Sequence, residues 1–120
     1  MKVIEIAFTA YPVSDLKRAE KFYAGLLGLK ESRRWGDENN GWVEYDIGAG
    51  TLAIDSSPPG LQPSRHGGVA GLEVDDFDAA IAQLKAAGVK FVVEPGESPV
   101  CHAAVISDTD GNSIFIHKRK

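Results

Sequence analysis

Histidine, cysteine and acidic side chains are the residues of this chain that could bind a metal or move a proton. Cys101 is the single cysteine and directly precedes His102. Neighbouring residues of a strand point to opposite faces, so we do not expect these two side chains to form a thiolate–imidazole pair. His117 and His102, together with the acids Glu44 and Asp55, are the candidates for metal ligands or general acid–base groups.

The composition is typical of one small globular domain. The chain has 120 residues, 43% hydrophobic and 25% charged, and a net charge of −4. It is too apolar for disorder, and without a basic excess we expect no nucleic-acid partner. The N-terminal residues lack a basic region and are interrupted by Glu5, which argues against a signal peptide or a membrane span. We therefore expect a cytoplasmic protein.

One sequence pattern occurs twice. Val-Ser-Asp-Leu starts at Val13, Val-Asp-Asp-Phe starts at Val74, and an alanine follows each pattern three residues later. Each copy comes after an apolar run typical of a strand and leads into a helical pattern that ends at Gly28 or Gly88. The chain is therefore predicted to be a tandem repeat of one structural unit.

The first unit has the pattern of a β-α-β-β-β module. Apolar β-forming residues predict a strand over residues 3–11, which Pro12 ends. Ser14 or Asp15 is the predicted N-cap of an amphipathic helix that Gly28 closes. Three further strands are predicted over residues 29–35, 41–47 and 51–55, with glycine-containing turns between them.

The second unit repeats this order after a connector. Residues 57–67 are rich in Pro, Gly and Ser and separate module one (1–56) from module two (68–120). Module two is predicted to contain a strand over residues 68–74, a helix over 76–87 capped by Asp75, and strands over 89–93, 100–107 and 112–117. The predicted fold class is therefore α+β, with two tandem β-α-β-β-β modules.

These modules resemble the vicinal oxygen chelate superfamily, which includes glyoxalase I, fosfomycin resistance proteins, extradiol dioxygenases and bleomycin resistance proteins. The resemblance is carried by two segments at the correct ends of the chain. They are Val-Ser-Asp-Leu-x-Arg-Ala-x-x-Phe-Tyr-x-x-x-Leu-Gly-Leu from Val13 and Asp-Thr-Asp-Gly-Asn from Asp108. The resemblance covers essentially the whole chain and implies curved sheets around a cleft. It is specific for the fold and not for an activity.

The resemblance also indicates where metal ligands would lie. In metal-dependent members, each module contributes His, Gln or Glu ligands from its first and fourth strands. The matching first-strand positions are Phe8 and Val69. The matching fourth-strand positions are Phe115 and Ala53, or Ile54 if the register shifts by one. None of these side chains can donate a lone pair to a metal. We therefore expect no metal, no cofactor and an apolar cleft floor.

Strand alternation predicts which other side chains face the cleft. Trp35 could be a wall of the cleft or a core residue, and Phe8 and Phe115 could likewise belong to the core. The full set of predicted cleft residues is Phe8, Trp35, Trp42, Glu44, Ala53, Asp55, Val69, Phe115 and His117. The catalytic candidates, if a reaction occurs, are His117, Glu44 and His102.

Two functions are compatible with this site. The first is a metal-independent small-molecule binder similar to bleomycin resistance proteins, whose ligand is held by apolar and aromatic side chains. The second is a glyoxalase-like lyase, isomerase or dioxygenase with a relocated or absent metal site, for which the polar candidates would have to converge. Open sheet edges and exposed apolar surface further predict a C2 homodimer.

Overall fold

The structure is a computed structural model that describes residues 1–2, 4–56 and 60–120. The elements follow the chain in the order β1 (Thr9–Pro12), α1 (Leu16–Glu20) with a π-helical continuation (Lys21–Leu26), β2 (Glu31–Gly36), β3 (Gly41–Ile47), β4 (Gly50–Asp55), β5 (Ala70–Glu73), α2 (Phe77–Ala86), β6 (Phe91–Glu97), β7 (Cys101–Ser107) and β8 (Ser113–Arg119). The chain divides into two compact units, Met1–Pro63 and Ser64–Lys120. Each unit has the order β-α-β-β-β, which confirms the predicted fold.

Each unit contains one four-stranded mixed sheet. Sheet one has the strand order β1-β4-β3-β2, and sheet two has the order β5-β8-β7-β6. In both sheets the first strand of the unit runs parallel to the last, while the other neighbours are antiparallel. The last strand of each unit therefore lies inside the sheet, so its side chains have neighbours on both sides.

Both helices begin at an aspartate that caps the first turn. Asp15 accepts a hydrogen bond from the Arg18 N–H at 3.0 Å, and Asp76 accepts one from the Ala79 N–H at 3.0 Å. These bonds satisfy backbone donors that have no partner within the helix. Asp15 was one of two predicted caps and is confirmed. The prediction of Asp75 is wrong, because α2 begins at Phe77 and residue 76 takes the cap position.

The helix-covered face of each sheet forms the core of its unit. In unit one, Tyr23 stacks between Tyr11 of β1 and Tyr45 of β3, with ring centroids 6.3 Å and 6.4 Å away. In unit two, Phe77 and Leu84 of α2 are buried, as are the residues of β7 and β8 on the side that faces this helix: Ala104, Ile106, Ile114 and Ile116. The apolar residues of the helix-covered face are buried, as the predicted alternation requires, and Ala53 and Val105 of the open faces are buried as well.

The first strand is shorter than predicted. β1 starts at Thr9, which pairs with Leu52, and β4 itself begins only two residues earlier at Gly50. Residues 4–8 are not strand, so the prediction of strand structure is wrong for them; Val3 lies outside the described residues. The other strand boundaries differ by no more than four residues from prediction. Ile4 and Ile6 remain 82% and 85% exposed.

No helix within the described ranges is long and apolar enough to cross a membrane. The longest α-helix, α2, has 10 residues. This length is well below the roughly 20 residues needed to span a bilayer.

Candidate functional site

The open face of sheet one is the side opposite α1, and it carries Trp42 and Glu44 of β3. The Phe8 ring contacts Trp42 edge-on, with ring centroids 5.1 Å apart and ring planes at 85°. Trp42 Nε1 donates a hydrogen bond to Glu44 Oε2 at 2.8 Å. Phe8 is 49% exposed, so it is not a core residue. The two rings offer an aromatic surface whose indole N–H is already satisfied.

Strand β2 adds an indole and a cation to this face. Trp35 pairs in register with Trp42, and Arg33 pairs with Glu44, so both project from the open side. Trp35 is 54% exposed, which decides against its interpretation as a core residue. Arg34 projects to the other side, where it bonds Glu20 and Glu31. The hydrogen bond with Glu31, followed by that with Glu20, holds the pKa of the Arg34 guanidinium above its usual range.

The fourth strand of unit one contributes less surface than predicted. Ala53 pairs with both Ala10 and Glu44, but it is fully buried, so only its neighbours offer surface to a ligand. Asp55 pairs with Trp42 and is half-buried at the end of β4. Its backbone carbonyl accepts a hydrogen bond from Val13 at 2.9 Å. Asp55 therefore fixes the turn from β1 into α1 through its backbone.

The open face of sheet two is the side opposite α2, and it is apolar around Phe115. The ring is 40% exposed, although Ile114 and Ile116 on either side of it in β8 are buried. Val69 immediately precedes β5 and is exposed as well. Gly71 pairs with Phe115, and a Cβ added at Gly71 would meet only Phe115 Cβ, at 3.9 Å. Phe115 therefore borders open space above β5.

Next to this apolar area, His117 forms a hydrogen bond with a residue that the sequence analysis missed. His117 Nδ1 lies 2.6 Å from Glu73 Oε1, and the other carboxylate oxygen accepts the Arg119 backbone N–H at 2.7 Å. These two bonds lower the pKa of Glu73, the backbone bond contributing most. Glu73 lies in β5 directly opposite His117 in β8. The pairing depends on the parallel register, which no local sequence signal reveals.

His102 lies on the opposite face of sheet two from His117. Its ring centroid is 5.5 Å from that of Phe77, the first residue of α2. Its neighbour Cys101 is half-buried, with Sγ 3.4 Å from the Ser98 hydroxyl. Alternation along β7 keeps the thiol and the imidazole apart, as predicted. His102 and His117 therefore do not converge.

The described ranges contain no group of three His, Cys, Asp or Glu side chains that could hold a metal ion. Within unit one, the structure brings together Phe8, Trp35, Trp42 and Glu44. Within unit two, it brings together Phe115 and His117, and it adds Glu73. The chemistry of these two surfaces is therefore aromatic stacking with a few hydrogen-bonding groups beside it.

Comparison with known proteins agrees with this architecture. The sequence model of the Glyoxalase/Bleomycin resistance protein/Dioxygenase superfamily matches residues 5–116. Among solved structures, TnmS3, an antibiotic binding protein from Streptomyces sp. CB03234, is 25% identical with a TM-score of 0.79; the match covers 100% of this chain and 99% of that protein. Among the curated proteins, no relative was found.

Two further solved structures are similar over nearly the whole chain. A member of the superfamily from Sphaerobacter thermophilus DSM 20745 is 26% identical with a TM-score of 0.77, and the match covers 97% of this chain and 98% of that one. A glyoxalase/bleomycin resistance protein from Streptomyces sp. CB03234 is 26% identical with a TM-score of 0.73, covering 97% and 100%. The chain belongs to the Glyoxalase/Bleomycin resistance protein/Dioxygenase superfamily.

Proposed function

We propose that this protein binds a small molecule against the exposed aromatic side chains of its open sheet faces, without a metal, and that sequestration is its function. The observation that carries the proposal is the half-exposure of Phe8 and Phe115. By resemblance, both occupy positions that match metal-ligand positions of the superfamily's metal-dependent members. Aromatic rings that remain accessible beside a few polar groups are typical of small-molecule sites. The similarity to TnmS3, an antibiotic binding protein, supports the same function.

The charges beside the rings indicate the kind of ligand. Glu44 and Asp46 lie on the open face of sheet one, where Arg33 is the nearest cation in register. A flat or aliphatic ligand with a cationic or hydrogen-donating group fits this surface, since aromatic faces and carboxylates both attract cations. The Arg33 side chain forms no hydrogen bond or ion pair with another described residue, so its guanidinium is available to an acceptor group of the same ligand.

The test compares binding in matched phenylalanine variants. A compound library is screened by thermal shift, and hits are measured by calorimetry against Phe115→Ala, Phe8→Ala and Phe91→Ala. We expect one of the first two changes to weaken a hit by about 1–3 kcal/mol, the scale for a buried aromatic contact. Phe91 lies near Lys85 of α2, on the other side of sheet two. Its variant should lose stability and keep the affinity. Hits whose affinity is unchanged in both Phe8→Ala and Phe115→Ala would refute the proposed site.

A glyoxalase-like lyase, isomerase or dioxygenase is the second candidate. It is favoured by one observation, the hydrogen bond between His117 and Glu73, because a carboxylate-oriented imidazole can act as a general acid or base. His102 and His117 lie on opposite faces of sheet two, so the two histidines cannot act together in one catalytic site. Turnover of a bound compound by the wild type, lost in His117→Ala, would favour this candidate over simple binding.

The exposed apolar surface also supports a C2 homodimer. Ile4 and Ile6 alternate with polar or small residues, as in a strand, and both are almost fully exposed. β1 lies at an edge of sheet one, and an edge strand beside an exposed apolar segment favours association with another chain. We propose that a second copy of this chain covers these residues, since a symmetric contact buries the same surface on both partners.

A further inference from the structure

His117 is held in one orientation by a carboxylate that is itself anchored. Glu73 Oε1 lies 2.6 Å from His117 Nδ1, and Glu73 Oε2 accepts the Arg119 backbone N–H at 2.7 Å. The Arg119 guanidinium is 3.9 Å from the same carboxylate. Both carboxylate oxygens of Glu73 are therefore engaged, and the imidazole ring has little freedom to turn away.

This arrangement fixes the proton on one ring nitrogen. The lowered pKa of Glu73 keeps its carboxylate ionised at neutral pH, so that it can only accept hydrogen bonds. Nδ1 must then carry the proton, and the lone pair of the neutral ring is on Nε2. Nε2 has no hydrogen-bond partner among the described residues, and 31% of the His117 side chain is exposed. In its neutral form the ring therefore presents one acceptor atom, Nε2, to a ligand.

The acceptor lies on the same face as an accessible aromatic ring. Phe115 and His117 are two residues apart in β8, so both project from the open face, about 7 Å apart along the strand. Beside Phe115, Gly71 leaves the space above β5 unfilled. Opposite His117, β7 contributes only the methyl group of Ala103. A planar ligand resting on Phe115 can thus reach Nε2 without displacing a larger side chain.

We propose that the Glu73–His117 pair accepts a hydrogen bond from the hydroxyl group of an aromatic ligand that stacks on Phe115, with Glu73 as the residue that positions His117. This inference rests on the proposed function and specifies the ligand class for the open face of sheet two. An aromatic hydroxyl is the fitting group because it is a stronger donor than an aliphatic alcohol and is attached to the ring that Phe115 contacts. Ethers of the same ring lack the proton.

The test uses two probes that differ only at the ring oxygen substituent: 2-naphthol carries a proton there, and 2-methoxynaphthalene carries a methyl group. Their dissociation constants are measured by NMR titration of the isotope-labelled full-length protein at neutral pH. We expect wild type to prefer the naphthol by about three- to tenfold, the range of one net hydrogen bond. The preference should disappear in His117→Phe, which keeps a ring but removes the acceptor. In Glu73→Gln it should fall, with a shift of the imidazole ¹⁵N signals toward the other tautomer.

Phe115→Ala separates this inference from the function on which it rests. It should weaken both probes equally and leave their ratio unchanged, because it removes the stacking surface and keeps the acceptor. If Phe115→Ala weakens both probes but His117→Phe keeps the wild-type preference, the hydroxyl inference is wrong and the binding function stands. If neither probe shifts the resonances of β5 or β8, both the binding function at this face and the inference fail. Unchanged imidazole tautomers in Glu73→Gln would overturn the positioning role of Glu73.

Discussion

Phe115 and Ile116 are neighbours in β8 with opposite surroundings. Ile116 is buried under α2, while Phe115 keeps part of its ring accessible on the other side of the sheet. A side chain that helps to hold the fold and one that is available for binding can therefore be adjacent in the sequence. For these two residues, the direction in which the side chain points decides whether it packs in the core or is accessible to a ligand.

Glu73 allows a prediction about pH. Its pKa is lower in the folded protein than the usual value of 4.5, so its contribution to stability is present above pH 4.5 and is lost as the pH falls through the lower folded value. We expect Glu73→Gln to reduce the melting temperature at pH 7 and to converge with wild type as the pH falls below the lowered pKa of the folded protein. A difference in melting temperature between the two proteins that stays constant from pH 7 to the acid end would contradict a stabilising role for the ionised Glu73 carboxylate.

At the scale of elements, the two helices start by the same device. Asp15 and Asp76 each accept the N–H three residues ahead, so each bond stabilises the first turn of its helix. Asp76→Ala and Asp15→Ala should each reduce the free energy of unfolding by about 1 kcal/mol. Asp75→Ala is the matched control and should change it by less than about 0.5 kcal/mol. Urea denaturation measures all three, and an equal effect at positions 75 and 76 would refute the assigned cap.

Strand β5 offers a second prediction, because Gly71 leaves space beside Phe115. The backbone of Gly71 does not require glycine, since its φ is not positive, and valine suits a strand. Gly71→Val should keep or raise the melting temperature and weaken ligands that depend on Phe115. Gly25→Ala, in the helix of unit one, is the control and should leave their affinity unchanged. Undiminished affinity in Gly71→Val would place the ligand elsewhere.

At the scale of the whole molecule, two similar units carry different open faces. Unit one presents two indoles with acids and an arginine, whereas unit two presents Phe115 beside the Glu73–His117 pair. The repeat thus provides one architecture with two surface chemistries. Within a superfamily that hosts several activities, the site rather than the fold must identify the ligand.

The homodimer is tested by mass in solution. Light scattering after size-exclusion chromatography should give twice the chain mass of 12.9 kDa at micromolar concentration. Ile4→Ser combined with Ile6→Ser should shift the protein toward the monomer, because the change removes the apolar surface that a second copy would cover. Val100→Ser, at another exposed aliphatic residue, is the control and should leave the mass unchanged. A monomeric wild type would refute the dimer.

The sequence by itself determined the module order, since the repeated Asp caps, the apolar periodicity and the turn glycines are local signals. It also determined that Phe8, Val69 and Phe115 offer no metal ligand, because side-chain chemistry does not depend on the fold. The tertiary structure decided the features that depend on contacts between residues distant in the chain. Pairing of the first strand with β4 begins only at Thr9, and the burial of Ala53 follows from its neighbours on two strands. Glu73 meets His117 only through the parallel register of β5 and β8, which sequence spacing does not encode.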